Sequence, residues 1–375
     1  MTPLHGLTLL DLSRQLPGPF CSTMLADLGM DTLVVANPTD PFGTGIPFMA
    51  RNKRSMTLNL KAAAGRELFL RLADAADVLL EGFRPGVMQR LGLDYATLAA
   101  RNPRLIYCAI SGYGQDGPYR DRVGHDVNYL GYAGVLGFIG HGEGPPVIPG
   151  VQIADIGAGA LMAVVGILSA IIARQRTGRG QLVDIAMLDG AALWNVYPVL
   201  LHQLGQRPQR GRTQLTGHHA CYAVYETGDG RYVTIGAYEP HFWATLCRSL
   251  GHPEFIERQW AEGPEREQIL ATFRAIFRTR TQAEWLAELG AQDICFGPVN
   301  DVEQMLADPQ LRHRGMVVDQ PGGAPTLGNP IKLSETPPAL RTPPPLFGQH
   351  TEEVLRGLGL DDAAIERLRA DGVIG

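Results

Sequence analysis

The stretch TLLDLSRQLPGPFCSTMLADLGMDTLVVA, residues 8–36, decides the fold of this chain. Residues 8–12 are largely apolar and predict a strand, and the Pro-Gly-Pro that follows opens a predicted helix over residues 19–28. A second apolar run, residues 32–36, predicts the next strand. A strand, a helix and a strand in this order indicate a βαβ unit, in which the two strands lie parallel in one sheet.

Short apolar runs and helical patterns continue to alternate through the first half of the chain. We predict further strands over residues 55–60, 78–81, 105–111 and 182–186, and helices over residues 63–73, 95–100 and 155–174. This alternation is typical of a doubly wound, Rossmann-like α/β domain built on a parallel sheet.

The character of the sequence changes after Leu188. A helical pattern to about Leu204 leads into a basic, polar stretch, after which residues 221–225 and 232–235 predict a hairpin followed by three helical segments. Residues 321–345 are rich in proline and precede a helical tail. We therefore predict a large α/β domain over 1–204, a linker over 205–220, a small α+β domain over 221–320, and a linker and tail over 321–375 that return to the large domain.

Composition argues against several classes of function. The chain has a formal charge of -5 and no run of Lys and Arg interleaved with aromatic residues, so we expect no nucleic-acid partner. Five scattered cysteines favour a reducing compartment, and with no signal-peptide pattern we expect a cytoplasmic protein. The apolar run over residues 156–173 has the length of a membrane span, but its Gly and Ala content favours a buried core helix, and we expect no membrane partner.

Three polar residues stand where chemistry is possible, and each also has a simpler structural interpretation. His125, in GHDVNY (124–129), is either a general acid or base, or a loop residue before a helix that Asp126 caps. Asp155 begins a Gly- and Ala-rich helix, where it is either an N-cap or a neighbour of a ligand held by backbone N–H donors. Glu239 precedes a proline at a predicted helix start, and its spacing alone favours helix capping.

Other patterns point to ligands or exclude them. The basic residues of RNKRS (51–55), with Lys61 and Arg84 after them, suit a phosphorylated ligand or form a solvated loop. No GxGxxG follows the first strand, which argues against a nicotinamide or flavin cofactor of the standard Rossmann type. The pair His218-His219 has no third ligand at a useful spacing, so we expect no metal.

Nine segments, in order, resemble the class III CoA-transferase (CaiB/BaiF) superfamily, and within it the α-methylacyl-CoA racemases. They are DLS…PGPFC (11–21), KRSMTLNLK (53–61), FRPGV (83–87), NPRLIY (102–107), SGYGQ (111–115), GHDVNY (124–129), ADIGAG (154–159), TGRGQLVD (177–184) and EPHFW (239–243). The resemblance runs from about Leu4 to the C-terminal tail.

The resemblance implies an isomerase that needs no cofactor and inverts the α-carbon of 2-methylacyl-CoA thioesters by 1,1-proton transfer through an enolate. His125 and Asp155 would be its acid/base pair, Glu239 would support the histidine, and backbone N–H groups at the start of the Asp155 helix would hold the enolate oxygen. The alternative is a CoA-transferase that moves CoA between carboxylic acids through an aspartyl-CoA thioester at Asp155. A non-catalytic acyl-CoA binder would keep the fold but would not need these three residues.

The resemblance also implies an interlocked homodimer, in which His125 and Asp155 of one chain meet Glu239 of the other. Asn37 stands where racemases often carry an arginine, and we expect Arg51 to take over its contact to the CoA phosphates. The residues expected to contact the acyl-CoA substrate are Asn37, Arg51, Lys53, Arg54, Leu58, Asn59, Leu60, Lys61, Arg84, Gly124, Asp126, Val127, Asn128 and Tyr129.

Overall fold

The structure, a computed structural model, describes residues 2–40, 49–319 and 324–375. The chain divides into two compact units. The first combines Met1–Leu136, Pro149–Asn195 and Arg312–Gly375, and the second combines Gly137–Ile148 and Val196–Leu311. Three residues of the predicted second linker, 321–323, and Gln320 before it lie outside the described residues.

A parallel sheet of six strands forms the centre of the first unit. Its strands are β1 (Thr8–Asp11), β2 (Asp31–Ala36), β3 (Lys53–Thr57), β4 (Val78–Glu81), β5 (Ile106–Ser111) and β6 (Leu182–Ala186). They lie in the order β3-β2-β1-β4-β5-β6, and every neighbouring pair is parallel. This is the doubly wound order, in which the direction of winding reverses between β1 and β4. The predicted α/β fold class is confirmed.

Helices connect these strands and cover the sheet. They are α1 (Pro17–Asp27), α2 (Ala63–Ala75), α3 (Val87–Leu91), α4 (Tyr95–Arg101), α5 (Asp126–Tyr132), α6 (Leu161–Thr177) and α7 (Met187–Ala192), with a 3₁₀ helix at Leu193–Asn195. A second 3₁₀ helix, Leu136–Phe138, includes residues of both units. On one face, Leu10, Leu33 and Leu79 pack with Phe69 of α2 in a single buried cluster. The central strands β4 and β5 are buried along their whole length because helices cover the sheet.

Strand β3 begins at Lys53, two residues before the predicted start at Ser55. Its pairing with β2 runs from Thr32 opposite Lys53 to Ala36 opposite Thr57. A lysine can stand at the start of this buried strand because its ammonium group donates to acceptors inside the protein. The sequence alone does not reveal these acceptors.

The segment that carries Asp155 was predicted as a single helix over residues 155–174, and the structure differs. Ile153–Ala160 is a π-helix, and it continues directly into α6. The combined segment Ile153–Thr177 is long and apolar enough to cross a membrane by length and composition, and 44% of its most apolar stretch is buried within the structure. In the fold, α6 packs against β5 and β6. Short π-helical stretches inside α-helices occur frequently at functional sites.

The second unit contains a small antiparallel sheet with helices. Its strands are β7 (Tyr222–Glu226), β8 (Tyr232–Gly236) and β9 (Phe296–Pro298), with β8 in the middle. Its helices are α8 (Val196–Gln203), α9 (Pro240–Ser249), α10 (Gly263–Phe277), α11 (Gln282–Leu289), α12 (Val302–Ala307) and most of α13 (Pro309–His313), with a 3₁₀ helix at Pro253–Arg258. The predicted hairpin and three helices are present. Strand β9 was missed because Gly and Pro, two of its three residues, are rare in strands.

The remaining chain belongs to the first unit. A short pair, β10 (Val317–Val318) with β11 (Thr326–Leu327), precedes the tail helices α14 (Thr351–Gly357) and α15 (Asp362–Ala370). The Thr57 N–H of β3 donates to the Thr351 hydroxyl at 3.0 Å. Leu355 and Ile365 join the buried cluster beneath the sheet, so the tail completes the core of the large unit.

Candidate active site

A cavity of about 900 Å³ opens at the carboxyl ends of the central strands. Its walls come from the segments that follow β1, β4 and β5, and from the start of α5. Because the winding reverses between β1 and β4, their loops leave the sheet in opposite directions and a crevice forms between them. Doubly wound proteins bind their ligands at such a point.

His125 lies in the wall of this cavity, directly before α5. Its backbone N–H donates to the Asn128 Oδ1 at 3.0 Å, which fixes the entry of the chain into the helix. The side chain of His125 is exposed, so the imidazole is accessible to a ligand in the cavity.

Tyr129 fixes the residue that precedes His125. Its hydroxyl donates to the Gly124 carbonyl oxygen at 2.5 Å. Burial, and then the negative charge of Asp155, raise the pKa of Tyr129 to about 12, so this hydroxyl keeps its proton. A Cβ on Gly124 would stand 2.8 Å from the Tyr129 ring, so only glycine allows this approach. The backbone next to the imidazole is therefore held by both packing and a hydrogen bond.

Asp126 joins His125 to Asp155. Its Oδ2 accepts the backbone N–H of Ala154 at 2.7 Å and that of Asp155 at 3.0 Å. Asp126 is the first residue of α5, yet its carboxylate caps the start of the π-helix instead. Asp126 is next to His125 in sequence, and its side chain is bonded to the backbone of Asp155. It thus holds the segments of the two predicted acid/base residues together.

These contacts correct the predicted position of the enolate donors. The N–H groups of Ala154 and Asp155 are used by Asp126, so neither can hold an enolate oxygen in this arrangement. The first-turn N–H groups of α5, at Asp126 and Val127, have no acceptor within their own helix. They form an alternative donor pair next to His125.

Asp155 is half-buried in the π-helix. Burial, and then repulsion from the Asp126 carboxylate, raise the pKa of Asp155 to about 6, and His125 acts in the opposite direction. A carboxyl group with this pKa gains and loses a proton readily near neutral pH, as general acid–base chemistry requires. The cavity lining includes His125 but not Asp155.

Glu239 lies in the second unit, between β8 and α9. It occupies the N-cap position of α9, but its side chain makes no capping hydrogen bond and is exposed. The capping interpretation therefore holds for the backbone position and not for the carboxylate. Its meeting with His125 of a second chain stays a prediction.

Several predicted CoA contacts follow strands and so lie at the same edge of the sheet as the cavity. Asn37 follows β2, and its Oδ1 accepts the Thr39 N–H at 3.0 Å. Residues 58–61 follow β3, where the Asn59 Oδ1 accepts the Lys61 N–H at 3.1 Å. Both amides shape local turns, Leu58 is buried, and Lys61 is exposed. Of the predicted CoA contacts, those that line the cavity are Arg84, Gly124, Asn128 and Tyr129.

Other predicted contacts precede or begin β3 and lie at the opposite edge. Arg51 is buried and donates to both carboxylate oxygens of Asp27, at 3.1 and 2.7 Å. Arg54 donates in the same two-pronged way to Asp31, at 3.2 and 2.8 Å. The buried Arg51 guanidinium stabilises the fold, and we assign it this role in place of the predicted contact to CoA. Arg54 is half-buried beside an exposed carboxylate, and its contact to CoA stays a prediction.

Lys53 is also corrected from a CoA contact to a structural residue. Its ammonium group is buried and donates to the Pro19 carbonyl oxygen at 3.0 Å and the Ser22 hydroxyl at 2.7 Å. The Asp11 carboxylate lies 3.8 Å away and compensates its charge. Burial lowers the pKa of Lys53 to about 8. This cluster supports the turn that links β1 to α1, on the cavity side of the sheet.

Most of the basic lining of the cavity was not predicted from the sequence. Four guanidinium groups contribute to it, from Arg14, Arg84, Arg120 and Arg122, and only Arg84 was singled out. The signal available was the position of Arg14 in DLSR, directly after the strand at which the winding reverses.

The histidine pair gains a third potential ligand from the fold. Side-chain ligand atoms of His218, His219 and Glu262 lie within 4.8 Å of one another, although Glu262 is distant in sequence and was not predicted. Arg266 hydrogen-bonds to His218 and lies 3.8 Å from Glu262, so a cation already faces this carboxylate.

Comparison with known proteins agrees with the fold. A family model described as CoA-transferase family III matches residues 4–351. An alpha-methylacyl-CoA racemase of Mus musculus is 38% identical over 99% of this chain and 97% of its own. A succinyl-CoA:glutarate CoA-transferase of Mus musculus is 32% identical, over 100% and 91%. The crystal structure of a CAIB/BAIF family protein from Brucella suis superimposes with a TM-score of 0.82 at 33% identity, over 95% and 99%. The chain therefore belongs to CoA-transferase family III.

Proposed function

We propose that this enzyme is a racemase of 2-methylacyl-CoA thioesters that inverts the α-carbon by proton transfer through an enolate. The observation that carries the proposal is the contact of Asp126 with the backbone of Asp155, at 2.7 and 3.0 Å through two N–H groups. It ties the start of α5, which His125 precedes, to the helix that carries Asp155. Inversion at carbon needs such a pair, because one group removes the proton and the other returns it to the opposite face.

The chemistry follows from the states of the two groups. In one direction the Asp155 carboxylate takes the α-proton and the protonated His125 imidazole supplies a proton to the other face. In the reverse direction neutral His125 is the base and protonated Asp155 is the acid. A pKa of about 6 allows Asp155 to serve in both states near neutral pH. The enolate oxygen would be held by the first-turn N–H groups of α5.

The proposal extends to CoA and to a second copy of the chain. Arg84 and Lys61, exposed at the carboxyl edge of the sheet, would contact CoA. Helix α8 exposes apolar side chains, with Val196 at 75%, Val199 at 49% and Leu200 at 47%, which a homodimer would cover. Glu239 of the second chain would then support His125. Sedimentation velocity is expected to give twice the chain mass of 40.7 kDa.

A second candidate is a CoA-transferase with Asp155 as the nucleophile. It is favoured by the match to a succinyl-CoA:glutarate CoA-transferase over the whole chain. A carboxyl group with a pKa of about 6 is mostly ionised at pH 7, as attack on a thioester requires. The two candidates differ in their need for His125, because a nucleophilic carboxylate forms its thioester without a second base.

Proton NMR in D₂O separates the two candidates. With (R)-2-methylacyl-CoA, we expect the enzyme to replace the α-proton by deuterium and to form the S epimer. His125→Ala should slow this exchange by about 100-fold or more, because a general base typically contributes that much. His313→Ala, an exposed histidine of α13, serves as the matched control and should leave the rate unchanged.

A parallel sample contains succinyl-CoA and an acceptor acid. Absence of α-proton exchange, together with transfer of CoA to the acid that survives His125→Ala, would overturn the racemase and establish Asp155 as a nucleophile.

A further inference from the structure

The cavity has a charge pattern that proton transfer alone does not require. Its lining includes four arginines, and none of the lining residues in the described part of the chain is Asp or Glu. Two of the arginines are held elsewhere: Arg120 donates to the Gln115 carbonyl oxygen at 3.0 Å, and Arg122 lies 4.0 Å above the Tyr119 ring. The remaining two, Arg14 and Arg84, are exposed.

Arg14 is positioned without using all its donors. Its Nε lies 3.0 Å from the Asp40 carboxylate, and its guanidinium carbon lies 5.6 Å from the centre of the Phe83 ring. The ion pair and the ring contact fix the plane of the group. A guanidinium carries five N–H donors in a flat fork. Among the described residues the two terminal nitrogens of Arg14 have no acceptor, so four donors suit an acceptor with the geometry of a carboxylate.

Gln15 adds an amide beside this guanidinium. Its φ of 64° lies in the left-handed region, which non-glycine residues rarely adopt and where strained residues at functional sites are often found. Below the turn, the Ser13 N–H donates to the Asp11 Oδ1 at 2.8 Å, so the strained conformation is supported from the core. The Gln15 side chain is exposed and lines the cavity.

The Arg14–Gln15 pair lies near the reaction centre. Both residues line the same cavity as His125. Two residues further on, the Pro17 Cβ lies 3.3 Å from where a Cβ on Gly159 would stand, one turn after Asp155. The turn therefore packs directly against the helix that carries the second acid/base group.

CoA phosphates do not explain a cation at this place. The pantetheine arm between the thioester sulfur and the pyrophosphate is a chain of about a dozen bonds and spans about 15 Å when extended. The phosphates of CoA therefore lie far from the thioester. Arg14 stands three residues before Pro17, which packs against the helix of Asp155, so this cation faces the acyl group and fits an acyl group that carries its own negative charge.

We propose, building on the racemase function above, that the substrate is a CoA monothioester of a 2-methyl-branched dicarboxylic acid. Its distal carboxylate binds the Arg14 guanidinium in a two-pronged contact and accepts a further hydrogen bond from the Gln15 amide. This contact orients the α-carbon between His125 and Asp155.

The test compares two thioesters that differ in one charge, (R)-2-methylglutaryl-CoA and its distal methyl ester. For the wild-type enzyme, kcat/KM for α-proton exchange in D₂O should be about 10- to 100-fold higher with the free acid, the size expected of a charge-assisted hydrogen-bond pair. Arg14→Met should remove this preference by lowering the value for the acid alone. Arg14→Lys should restore part of it, because the charge returns without the flat fork.

Arg90→Met is the matched control, since Arg90 is an exposed arginine of α3 outside the cavity lining. It should leave the preference unchanged. Equal use of acid and ester by the wild type overturns the inference, and so does an Arg14→Met variant that lowers both equally, because that result marks a structural role.

Calorimetry separates failure of the inference from failure of the racemase. If neither thioester exchanges its α-proton, the racemase proposal fails. Tighter binding of the acid than of the ester by the wild type would still support the carboxylate subsite, and equal affinities would overturn it. If free glutarate accepts CoA from succinyl-CoA in an Arg14-dependent reaction, the carboxylate belongs to an acceptor acid and the assignment to the acyl group is wrong.

Discussion

Two groups of basic side chains in the large unit have opposite environments. Arg51 and Lys53, at the start of β3, are buried and their donors are used by acceptors of the fold. Arg14 and Arg84, after β1 and β4, are exposed in a cavity whose described lining contains no acidic residue. In the sequence the two groups look alike, because each consists of basic residues in a polar stretch next to a strand. The difference teaches that a cation's place before or after a parallel strand decides its role, because ligands bind beyond the carboxyl ends.

The largest effect is expected from a substitution in the acid/base pair beside the cavity. Asp155→Asn should lower α-proton exchange by about 10²- to 10⁴-fold, because the amide can neither take nor return a proton. Thermal unfolding should not move to lower temperature, since the change removes a charge that burial disfavours. NMR in D₂O and circular dichroism measure the two effects. Asp116→Asn, at an exposed position, is the control, and equal loss in both variants would refute the assignment.

The next effect tests the buried side of the comparison. Arg51→Met should lower the free energy of unfolding by about 3–5 kcal/mol, because it leaves the Asp27 carboxylate buried without its partner. Exchange activity per folded molecule should be unchanged. Urea unfolding measures the loss, and Arg51→Met with Asp27→Leu should recover much of it, since an apolar pair can replace a buried ion pair. A stable variant with weakened CoA affinity would instead return Arg51 to the binding site.

The smallest effect sharpens the link between the two acid/base residues. Asp126→Asn keeps an oxygen for the backbone N–H groups of Ala154 and Asp155 but removes the charge that helps to raise the pKa of Asp155. Asp155 is a base only when ionised, so a lower pKa should extend its activity to lower pH. The rate at pH 7 should change by less than about tenfold. In the pH–rate profile, the fall in rate at low pH should therefore shift to lower pH. If it does not shift, Asp126 acts on Asp155 through geometry alone.

The order of strands and helices could be predicted because each depends on local pattern. Strand β4 was predicted with its observed bounds from three apolar residues and the glutamate after them, and the doubly wound class followed from alternation with helices. The site was harder, because its geometry depends on contacts between distant segments. The two hydrogen bonds from the start of the π-helix to Asp126 join residues that are 28 and 29 positions apart, and no local sequence pattern predicts them.

The same limit explains the errors on charged residues. Lys53 looks exposed in the sequence, and only the fold reveals that Ser22 and a carbonyl oxygen use its protons. Arg14 looks ordinary until the reversal of winding places it in the cavity. Burial and partners of a charge are tertiary properties, so composition and spacing do not determine them.

The π-helix at Ile153–Ala160 has a consequence for how this enzyme could change over evolutionary time. Such a stretch holds about one residue more than an α-helix of the same length. Deleting a single residue between Asp155 and Leu161 would restore regular winding and turn everything before the deletion by about 100° around the axis. The fold after Leu161 would be unchanged, but Asp155 would no longer lie on the side of the helix that faces Asp126. A one-residue gap at this point in a related sequence would therefore mark a protein that keeps the fold and has lost the reaction.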